Sequence, residues 1–113
     1  MPCNVLYYRT GAGRSPVIEF IDGIQFVKER ASVLADISLL ADDGPVLPFP
    51  WTSALRSYPG LRELRSRYGG NQYRFIYAIR RGDVILLHAF KKGSSAQVQR
   101  EYLVAAERAR RIR

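Results

Sequence analysis

Arg65, Arg67, Arg74, His88 and Lys92 are the residues whose types and spacing could do chemistry together. They lie within residues 61–92, and the reaction they suit is the breaking of an RNA phosphodiester beside its 2′-hydroxyl. Without a metal, that reaction needs one group to take the hydroxyl proton, one to stabilise charge on the crowded phosphate and one to protonate the leaving 5′-oxygen. Arginine suits the second task, because it stays protonated with a pKa above about 12. Histidine, with a reference pKa of about 6.5, suits the first or the third. A lysine can share in proton transfer when neighbouring positive charge lowers its pKa. A plainer account stands beside this one. Strand arginines and lysines also solvate an exposed sheet face, and a lone histidine on an apolar strand is more often a packed residue than a catalyst.

The elements that must position these side chains are three consecutive strands. Residues 61–68, 72–80 and 84–90 are rich in Tyr, Phe, Ile and Leu, and Gly69-Gly70-Asn71 and Arg81-Gly82-Asp83 separate them. Turns this short join only antiparallel neighbours, so the spacing predicts a meander. Alternation sets Tyr73, Phe75, Tyr77 and Ile79 on one side of the middle strand as the core face, with Arg74, Ile76 and Ala78 on the other. The same rule groups Leu86, His88, Phe90 and Lys92 on the third strand, and Glu63, Arg65 and Arg67 on the first. Bringing Arg65, Arg67, Arg74, His88 and Lys92 to one face makes a cationic surface that holds the only histidine.

The rest of the chain reads as support. Residues 4–9 form a predicted strand that pairs at an edge of the meander, ended by the plain turn Gly11-Ala12-Gly13. Ser15-Pro16 opens a helix, with the serine as cap; Val17, Phe20, Ile21 and Ile24 recur at helical spacing, and Gly23 is expected to break or kink it. A second stripe, Val27, Ala31, Leu34, Ile37 and Ala41, predicts a helix to about Asp42. Glu19, Asp22, Glu29 and Asp36 are expected on the solvated faces of these helices. Pro45, Pro48, Pro50 and Pro59 predict a stiff loop without regular structure from Gly44 to Pro59. Trp51 within it either covers the core edge, the commoner role, or offers a stacking face to a base. After Gly93-Ser94-Ser95 a basic helix is expected, with Val98, Tyr102, Ala105, Ala109 and Ile112 near one face. The fold class is α+β, one domain over residues 1–113: an N-terminal strand and two helices packed on an antiparallel meander, with a C-terminal basic helix.

Charge and composition narrow the partners. Residues 1–55 hold four basic side chains against six acids, whereas residues 56–113 hold 14 against only Glu63, Asp83, Glu101 and Glu107. Such a concentration in one half favours a polyanion, since each neutralised phosphate releases counterions. One cysteine, Cys3, rules out an internal disulfide and a cysteine-rich metal site, and with a single histidine no cofactor or structural zinc is expected. No segment reaches the ~18 apolar residues of a membrane span, and the first residues lack the sections of a signal peptide. A cytoplasmic protein without membrane contact is expected.

GRSPVIEFID at 13–22, DDGPVLPFP at 42–50, LRELR at 61–65, GGNQYRFIY at 69–77 and LLHAFKK at 86–92 occur in order. Together they resemble the HigB-type branch of the RelE/ParE toxin superfamily, including its phage-derived members, over residues 5–106. The resemblance implies a RelE-like fold and a type II toxin that cleaves mRNA on the translating ribosome without a metal. It also implies a helix-turn-helix antitoxin as partner. By motif position it carries phosphate binding to Arg65, Arg67 and Arg74, proton transfer to His88 and stabilisation of transition-state charge to Lys92. Lys91 completes the basic pair at the sheet end, and Tyr102 falls near a tyrosine that some relatives use in the final helix. Gly93-Ser94-Ser95-Ala96 departs from the family pattern, which has a further lysine there. Two other functions stay open: a ParE-like gyrase inhibitor that is no enzyme, and a catalytically inactive relative that binds only RNA or its antitoxin.

Overall fold

The computed structural model describes residues 2–112. Strand β1 (Val5–Tyr7) leads into helices α1 (Pro16–Asp22) and α2 (Val27–Asp43), followed by a short strand β2 (Thr52–Ala54). The meander β3 (Leu61–Tyr68), β4 (Asn71–Arg80) and β5 (Asp83–Lys91) comes next, and helix α3 (Ser95–Ala109) closes the fold. The fold is α+β, with one sheet in the order β1-β5-β4-β3-β2. β1 runs parallel to β5 at one edge, and every other pairing is antiparallel. A parallel pairing needs a long connection, which the rest of the chain supplies. The second meander turn is a two-residue hairpin in which Arg81 and Gly82 both have positive φ, 54° and 82°. That turn type matches the twist of the strands it joins.

Both faces of the sheet are covered. Val17, Ile21, Val33, Ile37 and Leu40 from α1 and α2 pack on Leu64, Tyr73, Phe75, Tyr77 and Leu86. On the opposite face, Val98, Tyr102 and Ala105 of α3 pack on Leu61, Ile76, Ala78, Leu87 and Phe90. Burial on both sides is why β4 reads as an almost unbroken apolar run interrupted by Arg74. Among the described residues, no helix is long and apolar enough to cross a membrane.

Five expectations need correction. Strict alternation on β5 fails, because a bulge leaves Leu87 unpaired while Tyr77 faces Leu86 and Ile76 faces His88. Leu86 therefore joins the α1/α2 core, and Phe90 lies in the α3 core. The buried stripe of α2 is Glu29, Val33, Ile37 and Leu40, and Val27 and Leu34 are exposed. Helical periodicity admits both stripes, and Glu29 is tolerated inside because Asn71 Nδ2 and the Tyr73 hydroxyl donate to its Oε1 at 2.7 and 3.0 Å. Asp36 also leaves the solvated face, accepting from Ser66 Oγ at 2.6 Å. The 44–59 loop contains β2, since its proline-free part can pair: Ser53 faces Glu63 on β3. Finally, Ser15 precedes α1 as expected, but its side chain makes no capping hydrogen bond.

Candidate functional site

Cross-strand register places the site on the α3 face. Arg65 lies opposite Arg74, Arg67 opposite Gln72, Arg74 opposite Phe90, and Ile76 opposite His88. Residues directly opposite share a face, so Arg65, Arg67, Arg74 and His88 lie on the same side of the sheet. Lys92 follows β5, and its backbone N–H donates to Gln72 O at 2.8 Å, which sets it beside the Arg67–Gln72 row. Lys91 faces Tyr73 and so belongs to the α1/α2 side.

Arg65 and Arg74 are like charges in direct cross-strand contact, an arrangement that destabilises unless something offsets it. Glu63 does so. Only 3% exposed, it takes the Tyr102 hydroxyl at 3.1 Å from each carboxylate oxygen. Arg65 Nη2 lies 3.2 Å from its Oε2, and Arg74 Nη1 lies 3.4 Å from its Oε1. The cluster is cross-braced: Arg74 Nη1 also donates to Tyr102 Oη at 3.0 Å, and Arg74 Nε to Gln72 Oε1 at 3.0 Å. Arg65 Nη2 donates to Ser53 Oγ at 3.1 Å, and its guanidinium lies over the Phe49 ring, 5.3 Å from the centroid. Burial, and then the charge of Glu63, push the Tyr102 phenol above its ordinary pKa, so it stays protonated at neutral pH.

A cavity of about 380 Å³ opens on this cluster, lined by Glu63, Arg65 and Tyr102 together with Arg56, Tyr58 and Gln99. A second, of about 350 Å³, is lined by Trp51, Pro50, Arg65, Arg67, Asp36 and Ser32. Arg65 belongs to the walls of both.

His88 makes its contacts with α3 and not with Glu63. Its Nδ1 lies 3.0 Å from Arg108 Nη1, which also donates to Leu87 O at 2.9 Å. A guanidinium can only donate, so Nδ1 is the acceptor and the proton sits on Nε2, 2.8 Å from Glu101 Oε1. Burial lowers the His88 pKa and the charge of Arg108 adds to it; Glu101 opposes both without reversing the direction. The ring is therefore neutral at pH 7. Phe90 stacks on it, with centroids 5.8 Å apart, and meets Tyr102 edge-on at 6.3 Å.

Of the residues singled out by the sequence, the fold gathers Arg65, Arg74 and Tyr102 into one cluster. It sets Arg67 and Lys92 near Gln72, seats His88 under α3 between Glu101 and Arg108, and turns Lys91 to the other face. Glu63 at the centre was not among the expected site residues. Its only signal was its place two residues before Arg65, hence on the same strand face. Among the described residues, no group of three or more His, Cys, Asp and Glu side chains is placed to hold a metal ion.

Fold and site together define a small α+β protein with an arginine-lined sheet face built around a buried carboxylate. Residues 25–111 match the family described as Phage derived protein Gp49-like (DUF891), and the chain belongs to that family. The matched region contains α2, the meander, α3 and every site residue named above. No curated protein and no solved structure gives a significant match.

Proposed function

We propose that this chain is the toxin of a type II toxin–antitoxin pair, a metal-independent endoribonuclease that cuts mRNA on translating ribosomes. The observation that carries this reading is the Glu63 cluster on the basic half of the molecule: Glu63, Arg65 and the protonated Tyr102 phenol line one cavity, and the Arg74 guanidinium braces Glu63 and Tyr102 from behind that wall. Each of the three tasks of phosphodiester cleavage has a group within it. Glu63 takes the 2′-hydroxyl proton, and the 2′-oxygen attacks phosphorus. Arg65 and Arg74 hold the charge that builds on the phosphate oxygens. The Tyr102 hydroxyl gives its proton to the departing 5′-oxygen, leaving a 2′,3′-cyclic phosphate. Tyr102 then recovers a proton from Glu63 across their 3.1 Å bond, which restores both groups.

Glu63 is favoured over His88 as the proton acceptor because it lines the cavity, which His88 does not. His88 is then a positioning residue. Through Glu101 and Arg108 it seats α3, and α3 carries Tyr102. Arg67 and Lys92 bind flanking phosphates. The partner that restrains the toxin is a helix-turn-helix antitoxin that presents acidic side chains to the basic half. A binding-only relative is the second reading, favoured by the closed hydrogen bonding of His88.

The test is expression of the chain in a bacterial host with mapping of RNA 5′ ends, beside Glu63→Gln and Arg74→Ala. New cuts within translated frames that vanish in both variants support the nuclease. Growth arrest without new cuts moves the function to another target such as gyrase, and the absence of arrest supports the binding-only relative.

A further inference from the structure

We infer that Trp51, with Arg67 and Arg65, forms a stacking pocket for one base of single-stranded RNA, beside the nucleotide whose phosphate reaches Glu63. The inference rests on the RNA-cleaving reading and names how that site holds its substrate. Trp51 is the only tryptophan of the chain and is 47% exposed, so about half of its surface is open to a ligand. Its backbone is nevertheless pinned. The Trp51 N–H donates to Pro48 O at 3.0 Å, and Arg65 N donates to Trp51 O at 2.9 Å. An indole that is exposed on a fixed backbone, in a segment stiffened by Pro48 and Pro50, loses little freedom when a flat ring lands on it.

The composition of the pocket points to a nucleotide. Trp51 and Pro50 supply an apolar wall, Arg65 and Arg67 supply positive charge, and Asp36 and Ser32 supply a polar rim. Its volume of about 350 Å³ suits a small planar group. Arg67 is exposed and has no ion pair among the described residues, which leaves it for a phosphate. Arg65 is shared with the Glu63 cavity, so the two cavities adjoin at this residue. Aromatic stacking combined with a cationic track is how single strands are bound without dependence on sequence, and a duplex, whose bases are already stacked, does not fit.

The sole tryptophan makes the test direct. The full chain is titrated with a fully 2′-O-methylated single-stranded oligoribonucleotide, which cannot be cut, while indole emission and the anisotropy of a label on the oligonucleotide are read together. Saturable quenching in step with anisotropy is expected, with none from heparin, which has charge but no bases. Trp51→Ala should weaken binding by about 5- to 100-fold, and Trp51→Phe should restore most of it. Circular dichroism confirms that both variants are folded. Binding without quenching, together with full affinity in Trp51→Ala, would overturn the pocket and leave the nuclease reading intact. Equal quenching by heparin would also overturn it. Failure of the parent chain to bind the oligonucleotide would remove both the pocket and the RNA reading on which it rests.

Discussion

Replacing Glu63 with glutamine keeps the shape of the side chain and removes its charge, and the geometry sets the size of the effect. Glu63 now receives Tyr102, Arg65 and Arg74 from a position 3% exposed. Glutamine retains one acceptor oxygen and turns an amide donor towards a guanidinium donor. Breaking a buried charge pair by removing one partner costs about 3–5 kcal/mol. Here Arg65 keeps Ser53, and Arg74 keeps Gln72 and Tyr102, so the loss falls to about 2–3 kcal/mol. For a domain of this size that is roughly 8–12 °C in Tm. Cleavage should fall further, by about 10²- to 10⁴-fold, since a group that takes a proton in the transition state is gone. RNA affinity should hold or rise, because two guanidinium groups are released from a carboxylate. The assays are thermal unfolding, oligonucleotide binding and a single-turnover cleavage rate. A folded Glu63→Gln variant that cuts within about tenfold of the parent would refute Glu63 as the proton acceptor. An unchanged Tm would refute the cluster as a set of stabilising contacts.

Three other perturbations test separate parts of the structure. Because the folded pKa of His88 lies below its unfolded value of about 6.5, the unfolded chain takes up the proton first as pH falls. Its contribution to stability is complete above about pH 6.5 and is lost below it, down to the folded pKa. In urea series at pH 7.5 and 5.5, His88→Gln should show a smaller drop than the parent, and an equal drop would place the pH dependence elsewhere. Arg74→Lys replaces a planar donor that spans Glu63, Gln72 and Tyr102 with a point charge, and single-turnover cleavage should fall on the order of 10²-fold with the fold retained. Glu29→Ala strips the acceptor from Asn71 and Tyr73, and urea unfolding should report a loss of about 2–3 kcal/mol, with Glu29→Gln losing less.

Much of the architecture is local and was legible in the residues. Glycine turns, the Ser15-Pro16 start of α1 and apolar runs of strand length act over a few neighbours, and they place the meander and all three helices. The cationic face was legible too, because alternation within β3 and within β4 needs no knowledge of the partner strand. Where two periodic choices compete, residues alone do not decide. The stripe of α2 could begin at Val27 or at Glu29, and the outcome turned on Asn71 and Tyr73, more than forty residues away, being ready to satisfy a buried carboxylate.

What the sequence determined by itself is therefore the α+β class, the concentration of cations in its second half and the set of arginines that share a strand face. The tertiary structure alone decided which of them meet. The bulge at Leu87 and the seating of α3 took His88 to Glu101 and Arg108, and brought Tyr102 onto Glu63 between two arginines. The physical reason is that a charge can be buried only where its partners converge, and convergence across 39 residues is a property of packing and not of spacing.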